Sequence, residues 1–209
     1  MRRTRKVGLV LLVPLLFVIA LAGLFQSTRA ALAYTLYRKA KYGAAADDPV
    51  RVLKLSERSH GLYPYNYYLC IHAAETAYHA GLSREDEAER GRLLRSADYW
   101  CRRGLQLNPH KRALHLLRSR LLARSSPAEA AEWWAAYVDR HFWEPFNHAM
   151  LVEFRAQAGQ FDKALESLEW VKGSAHYDRA SEALQQAWRR EMAPPPVGPG
   201  RAASGRDGG

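Results

Sequence analysis

The stretch Phe146–Val171 constrains the fold most, because it carries two apolar patterns of helical period on either side of one glycine. Leu151, Phe154 and Ala158 recur at helical spacing before Gly159. The second set consists of Ala164, Leu165, Leu168 and Val171. A glycine at this junction can end the first helix in the left-handed conformation. The sequence therefore predicts an antiparallel helical hairpin.

Short polar residues stand where helices are expected to begin. Asp162 follows the turn glycine, Asp48 precedes Pro49, and Asn66 and Asn147 each follow a proline by two residues. Such side chains accept hydrogen bonds from exposed amides of a first helical turn, and proline suits its first position. We expect helix starts at all four polar residues.

Tripeptides that end in proline recur along the chain at the ends of helical patterns. Leu62-Tyr63-Pro64, Leu107-Asn108-Pro109 and Trp143-Glu144-Pro145 each close a helical pattern, at separations of 45 and 36 residues. Proline cannot continue a helix, so these tripeptides mark the ends of repeated helical units.

The stretch at Gly159 resembles a tetratricopeptide repeat (TPR), a family pattern with a turn glycine, an aromatic residue two positions on and a small residue five positions on. Gly159, Phe161 and Ala164 match these positions, and Leu168 and Val171 lie one and two turns further. The resemblance implies an all-α fold for residues 26–191: a short TPR-like α-α superhelix of about three hairpins and a capping helix.

Two earlier hairpins and the cap follow from the same resemblance. Small or aromatic residues recur at the matched positions in both second helices, although Cys101 replaces an aromatic and Ser83–Arg92 is an extra segment. The first hairpin is Asn66–Ala80, a turn at Gly81, and Glu85–Leu107 with Ala97, Cys101 and Gly104. The next is Lys111–Arg124 and Pro127–His141 with Ala130, Trp134 and Tyr137. Pro49–His60 precedes them, and Tyr177–Glu191 is the predicted cap, with Ala180, Leu184, Ala187 and Trp188 on one face.

Residues 7–25 form an apolar run without a charged side chain, interrupted only by Gly8, Pro14 and Gly23. A helix of this length spans about 28 Å, close to the hydrocarbon thickness of a bilayer. Residues 1–6 carry four basic side chains and only Arg29 follows closely, which predicts a single-pass signal anchor with a cytoplasmic N-terminus. A helical pattern continues from Ser27 to Tyr42, consistent with one long helix.

The alternative is a cleaved signal peptide that releases a secreted helical module. Ala20-Leu21-Ala22 and Ala31-Leu32-Ala33 both have the small-x-small form of a cleavage site. Either interpretation predicts a helical domain outside the cytoplasmic membrane of a bacterium, in the periplasm or envelope.

The net charge and the composition of the C-terminal tail limit the kinds of partner that are expected. The chain has a net charge of +10, but residues 30–191 carry only +4, so most of the excess belongs to the targeting signal and nucleic acid is not expected. Residues 192–209, rich in proline and glycine, are predicted to be a disordered tail.

The family resemblance also implies a partner-binding groove lined by the first helix of each pair, for a protein or peptide in a membrane-associated complex. The positions carried over are Tyr68, Ile71, Glu75, Tyr78, His79, Arg112, His115, Ser119, Leu122, Phe146, Ala149, Glu153 and Gln157. The alternative for each is packing against a neighbouring repeat. Trp133-Trp134, Phe142-Trp143 and Trp170 are assigned to the core, with an exposed subset near Trp143 as a possible docking or interfacial group.

Catalytic motifs are absent from the sequence, and no enzyme activity or cofactor is expected. His72, Glu75 and His79 share one helical face and are the best candidate metal ligands, although a polar binding face is favoured there and no metal is predicted. Metal-binding or enzymatic chemistry at these residues is the second alternative.

The repeat alignment places Cys70 and Cys101 opposite each other in one hairpin. Small residues around them allow the close approach that a disulfide requires. A disulfide and a pair of buried free thiols both remain open.

The combined prediction is a membrane-tethered TPR-like scaffold or adaptor in a secretion, export or biogenesis assembly of the bacterial envelope.

Overall fold

The computed structural model describes residues 2–193, with side chains from residue 12 onward. Every regular element within that range is a helix, which confirms the all-α prediction. The bounds are α1 Arg2–Tyr42, α2 Pro49–Leu62, α3 Tyr67–Leu82, α4 Glu87–Leu107, α5 Arg112–Leu122, α6 Pro127–Val138, α7 Pro145–Gln157, α8 Phe161–Glu169 and α9 Tyr177–Met192. Nearly all of the predicted tail lies outside the described residues.

The helices pack as two units, Met1–Leu121 and Leu122–Gly209. The division falls next to the last residue of α5, so the two helices of the predicted middle hairpin, α5 and α6, belong to different units. Each unit has its own core.

The first helix, α1, continues without a break from Arg2 to Tyr42 and passes through Pro14. Its side chains from residue 12 to residue 28 are exposed, whereas Ala33, Tyr37 and Ala40 are buried. These three residues recur every three to four positions, which is the spacing of one helix face. The predicted long helix is confirmed, and its second half belongs to the core of the first unit.

Small side chains bring α3 and α4 together in the first unit. Ala73, Ala74, Ala77 and Ala97 are fully buried, and Leu114 of α5 packs against the same cluster. Gly104 has no room for a side chain: an added Cβ would lie 2.6 Å from Cδ1 of Leu114 and 3.0 Å from Cβ of Cys70.

The turn predicted at Gly81 is wrong. The helix continues to Leu82, and Gly81 is buried inside it, where an added Cβ would lie 3.0 Å from Cδ2 of Leu94. This glycine therefore serves close packing against α4 rather than a change of direction.

The α7–α8 hairpin of the second unit has the predicted turn. Gly159 has φ of +70°, its amide donates to the Ala156 carbonyl at 3.1 Å, and the Gln160 amide donates to the Arg155 carbonyl at 2.9 Å. This pair of bonds is the Schellman arrangement that ends a helix at a left-handed glycine. Ala180 and Leu184 of α9 pack on the apolar surface that α7 and α8 form, as predicted for a cap.

Two of the four predicted caps are confirmed. Asp48 accepts from the amides of Val50 and Arg51, and Asn66 accepts from the two amides that follow Tyr67. Asn147 does not cap, because α7 begins two residues earlier at Pro145 and the asparagine is buried inside the helix.

Asp162 does not cap either. It lies in the first turn of α8, whose N-cap residue is Gln160.

Aromatic residues assigned to the core divide into two groups. Trp134 is fully buried, and its Nε1 donates to the Asn147 carbonyl at 2.8 Å. Trp133 is half-buried, whereas Phe142, Trp143 and Trp170 are exposed, so the core assignment is wrong for those three. Phe142 and Trp143 are the exposed subset that the sequence analysis allowed near Trp143.

Candidate partner-binding site

The predicted groove positions on α3 divide by exposure. Tyr68, Glu75 and His79 are exposed and lie on one face, at offsets of seven and four residues. Ile71 is half-buried, and Tyr78 is buried in the core with its ring 5.4 Å from that of His79. The exposed members of the predicted groove on this helix are therefore Tyr68, Glu75 and His79, which we call the α3 face.

On α5 most of the predicted groove positions are buried or half-buried within the protein. His115 and Ser119 are buried: the His115 Nε2 lies 2.7 Å from the Pro109 carbonyl, and the Ser119 hydroxyl donates to the His115 carbonyl at 3.0 Å. Leu122 is half-buried and Arg112 is exposed. Only Arg112 offers a well-exposed side chain here.

On α7 the predicted positions lie against α9 or the segment before it. The Phe146 ring contacts that of His176 at 5.5 Å, Ala149 is buried in the core, and Glu153 forms an ion pair with Arg179 at 2.9 Å. Gln157 is exposed and, with Glu153, lines a cavity of about 460 Å³. Contact with the capping helix thus occupies most of this face.

The three candidate metal ligands on α3 do not converge. His72 faces α1, where its ring lies 6.3 Å from that of Tyr37, while Glu75 and His79 are exposed. Burial lowers the pKa of His72, and its hydrogen bond with the Ala40 backbone acts in the opposite direction. Among the side chains of residues 12–193, no group of three or more His, Cys, Asp or Glu residues could hold a metal ion.

Cys70 and Cys101 are both fully buried in the α3–α4 core, and both are free thiols. In the structure the two sulfurs are not bonded to each other, and the choice between the two alternatives stays a prediction. Burial raises the pKa of Cys70 to about 11 and that of Cys101 to about 12. Thiols with such pKa values are protonated at neutral pH and are poor nucleophiles.

A basic cavity between α1 and α2 was not anticipated. It has a volume of about 420 Å³ and is lined by Lys39, Gly43, Ala44, Ala45, Arg51, Lys54, Leu55 and Arg58. Arg51, Lys54, Leu55 and Arg58 recur at one helical spacing, which is the signal that could have revealed it.

The exposed part of α1 is the second candidate contact surface. Over its described side chains, Leu12–Tyr42, the helix is long and apolar enough to cross a membrane. Leu, Val, Phe and Ile side chains between residues 12 and 25 are exposed on all sides of the helix. Exposed apolar surfaces of this size are typical of sites that contact a membrane or a protein partner.

The packed helical pairs, the turn at Gly159 and the covering helix α9 define a TPR-like fold. A solved structure that shares it is a thermophilic TPR protein of Thermus thermophilus, with a TM-score of 0.59 at 18% sequence identity. The similarity covers 73% of this chain and 81% of that protein. No protein-family model and no curated protein matches the sequence.

Proposed function

We propose that this chain is a membrane-tethered, protein-binding scaffold of a bacterial envelope assembly. In this proposal α1 crosses the cytoplasmic membrane once with its N-terminus inside, and both helical units lie on the extracytoplasmic side. The observation that carries it is α1 itself, whose exposed apolar half continues directly into a half that is packed in a TPR-like unit.

The packing of α1 favours a retained anchor over cleavage at the second small-residue site. Cleavage after Ala33 would remove the carbonyl that accepts a hydrogen bond from the buried Ser59 hydroxyl at 2.7 Å. It would also remove Arg29, whose Nη2 donates to the Gly61 carbonyl at 3.3 Å. Cleavage after Ala22 would leave these contacts intact, so that alternative needs an experiment.

Membrane extraction tests the anchor. We expect the full chain to stay in the membrane pellet after carbonate treatment and to keep the mass of the uncleaved protein. Release into the supernatant, or an N-terminus at Gly23, would instead support the secreted module.

The α3 face is the proposed partner surface. It combines an aromatic ring, a carboxylate and an imidazole on one rigid helix, and tethering raises the local concentration of such a site, so a weak contact suffices. Tyrosine supplies large contact area together with a directed hydrogen bond.

Site-specific photocrosslinking tests this surface in native membranes. We expect a photoreactive benzoylphenylalanine at Glu75 to give a discrete protein adduct that the added substitution His79→Ala weakens. The same group at Tyr99, which is also exposed but lies on α4, is the control. Adducts of equal yield at both positions, or none at Glu75, would contradict the assignment of this face.

A further inference from the structure

Two hydrogen bonds fix the direction in which α2 runs along α1. Ser59 contacts the Ala33 carbonyl, and two residues later Gly61 contacts Arg29, four residues earlier on α1. The chain of α2 therefore advances toward the exposed apolar part of α1. The turn that follows α2 at this end is Tyr63-Pro64-Tyr65, which we call the tyrosine turn.

The next helix leads away again. His72 of α3 lies beside Tyr37 and Ala40 of α1, which are farther from the apolar part than Ala33 is. Consequently α3 runs in the same direction as α1. The tyrosine turn is thus the point where the α2–α3 pair reverses, at the end that faces the apolar part of α1.

Helix geometry gives the level of this turn relative to a bilayer. If the hydrocarbon layer ends near Phe25, Arg29 lies about 6 Å beyond it at 1.5 Å per residue. The headgroup region is about 5–8 Å thick on each side of the hydrocarbon core. Arg29 and the Gly61 carbonyl bonded to it therefore fall at headgroup level, and the tyrosine turn starts two residues after Gly61.

The side chains of the tyrosine turn are of the kind that is found in the headgroup layer of a membrane. Tyr63 and Tyr65 are exposed, the latter to 69%, and their rings form an edge-to-face pair with centroids 5.5 Å apart. Tyrosine concentrates at membrane interfaces because its ring is apolar and its hydroxyl is polar. Arg29 completes the group, with its guanidinium 5.6 Å from the centroid of the Phe25 ring.

We propose that the tyrosine turn is a second membrane contact, with Tyr63 and Tyr65 lying in the headgroup layer of the leaflet that α1 leaves. This inference rests on the proposed anchor. The two contacts together restrain the tilt of the first unit relative to the lipid surface, because interfacial anchors beside a span limit the angle at which it crosses the bilayer.

Spin labels on the full chain in phosphatidylglycerol–phosphatidylethanolamine vesicles test the proposal. Nitroxides are attached in separate variants at Tyr65→Cys, Tyr42→Cys and Ile19→Cys, and collision with oxygen and with a water-soluble nickel complex is measured. Tyr42 is a matched control, because it is also 69% exposed. It lies on α1 about 20 Å beyond Arg29, on the side away from the apolar part. The buried native thiols, labelled in parallel in the unsubstituted chain, give the background.

We expect the label at Tyr65 to collide several-fold less with the nickel complex than the label at Tyr42, and more with oxygen. Equal nickel accessibility at Tyr65 and Tyr42, with the Ile19 label in lipid, would overturn the second contact and leave the anchor standing. A water-exposed label at Ile19 would overturn the anchor itself and the second contact with it.

Discussion

Small residues at particular positions determine how closely the helices of the first unit approach. Gly104, Ala74 and Ala97 lie where α3 and α4 meet, and each is fully buried or nearly so. The repeat pattern predicts that Ala97 and Gly104 lie at a helix crossing, because only small residues allow the helices to approach closely there. Gly81 could not be assigned correctly, since its role depends on the position of Leu94 across the interface.

Substitution of Gly104 tests this packing. A Cβ at this position would lie 2.6 Å from Cδ1 of Leu114 and 3.0 Å from the Cys70 Cβ, so these neighbours must shift. Overpacking costs about 1–3 kcal/mol, and the better helix propensity of alanine returns about 1 kcal/mol at most. We expect Gly104→Ala to lower the free energy of unfolding by up to about 2 kcal/mol in urea denaturation.

Gly61→Ala is the control for that experiment. No heavy atom lies within 4 Å of a Cβ built on Gly61, which is also helical. It should leave stability unchanged or raise it by up to about 1 kcal/mol. Equal losses in the two variants would show that Gly104 is not a packing constraint.

The two buried thiols predict a pH dependence. Their pKa values in the fold are about 11 and about 12, above the ordinary value of about 8.5 in an unfolded chain. Between these limits the unfolded chain loses thiol protons that the folded chain keeps, so rising pH favours unfolding. We expect the free energy of unfolding to fall from about pH 9 upward, and more steeply than in the double variant Cys70→Ala/Cys101→Ala. Parallel pH profiles would contradict this linkage.

Alkylation separates the thiols from a disulfide. Folded protein at pH 7 should react slowly with iodoacetamide, because both sulfurs are buried and protonated. Protein denatured without reductant should gain two carbamidomethyl groups by mass spectrometry. An unchanged mass that shifts only after reduction would instead establish the disulfide.

At the scale of elements, local signals identified helices better than they identified the residue that begins each one. Asp48 and Asn66 cap as expected because the chain is extended at both. Asn147 follows a proline in the same way, but tertiary structure uses it differently: its side-chain amide donates to the His141 carbonyl at 2.9 Å. A hydrogen bond to a carbonyl six residues earlier cannot be read from the proline-to-asparagine spacing.

The cap of α2 makes a direct prediction. The Asp48 carboxylate accepts from the amides of Val50 at 3.0 Å and Arg51 at 3.2 Å, so Asp48→Ala leaves both unsatisfied by the protein. We expect a loss of about 1 kcal/mol in the free energy of unfolding, measured by urea denaturation.

Gln160→Ala is the matched control, because Gln160 is the N-cap of α8 and makes no capping bond through its side chain. It should change stability by less than about 0.5 kcal/mol. A Gln160→Ala loss as large as that of Asp48→Ala would show that the Asp48 side-chain bonds are not the cause.

At the scale of the whole molecule, the sequence was sufficient for the all-helical fold, the long first helix and the capping role of α9. These depend on apolar periodicity and on turn residues such as Gly159, which act locally. The candidate groove was less predictable, because exposure at Glu153 and Ala149 depends on α9, which packs across α7. Burial of His115 likewise depends on contacts beyond its own turn.

The central claim is that α1 is both a membrane span and a packed helix of the first unit. Single cysteines along α1 of the full chain, tested for reaction with a polar maleimide in opened native membranes, examine it most directly. We predict no reaction at Leu15 or Ile19 because lipid excludes the reagent, reaction at the exposed Leu32 and Tyr34, and protection at the buried Tyr37. Reaction at Leu15 and Ile19 as fast as at Tyr34 would contradict the membrane span, and equal reaction at Tyr34 and Tyr37 would contradict the packing.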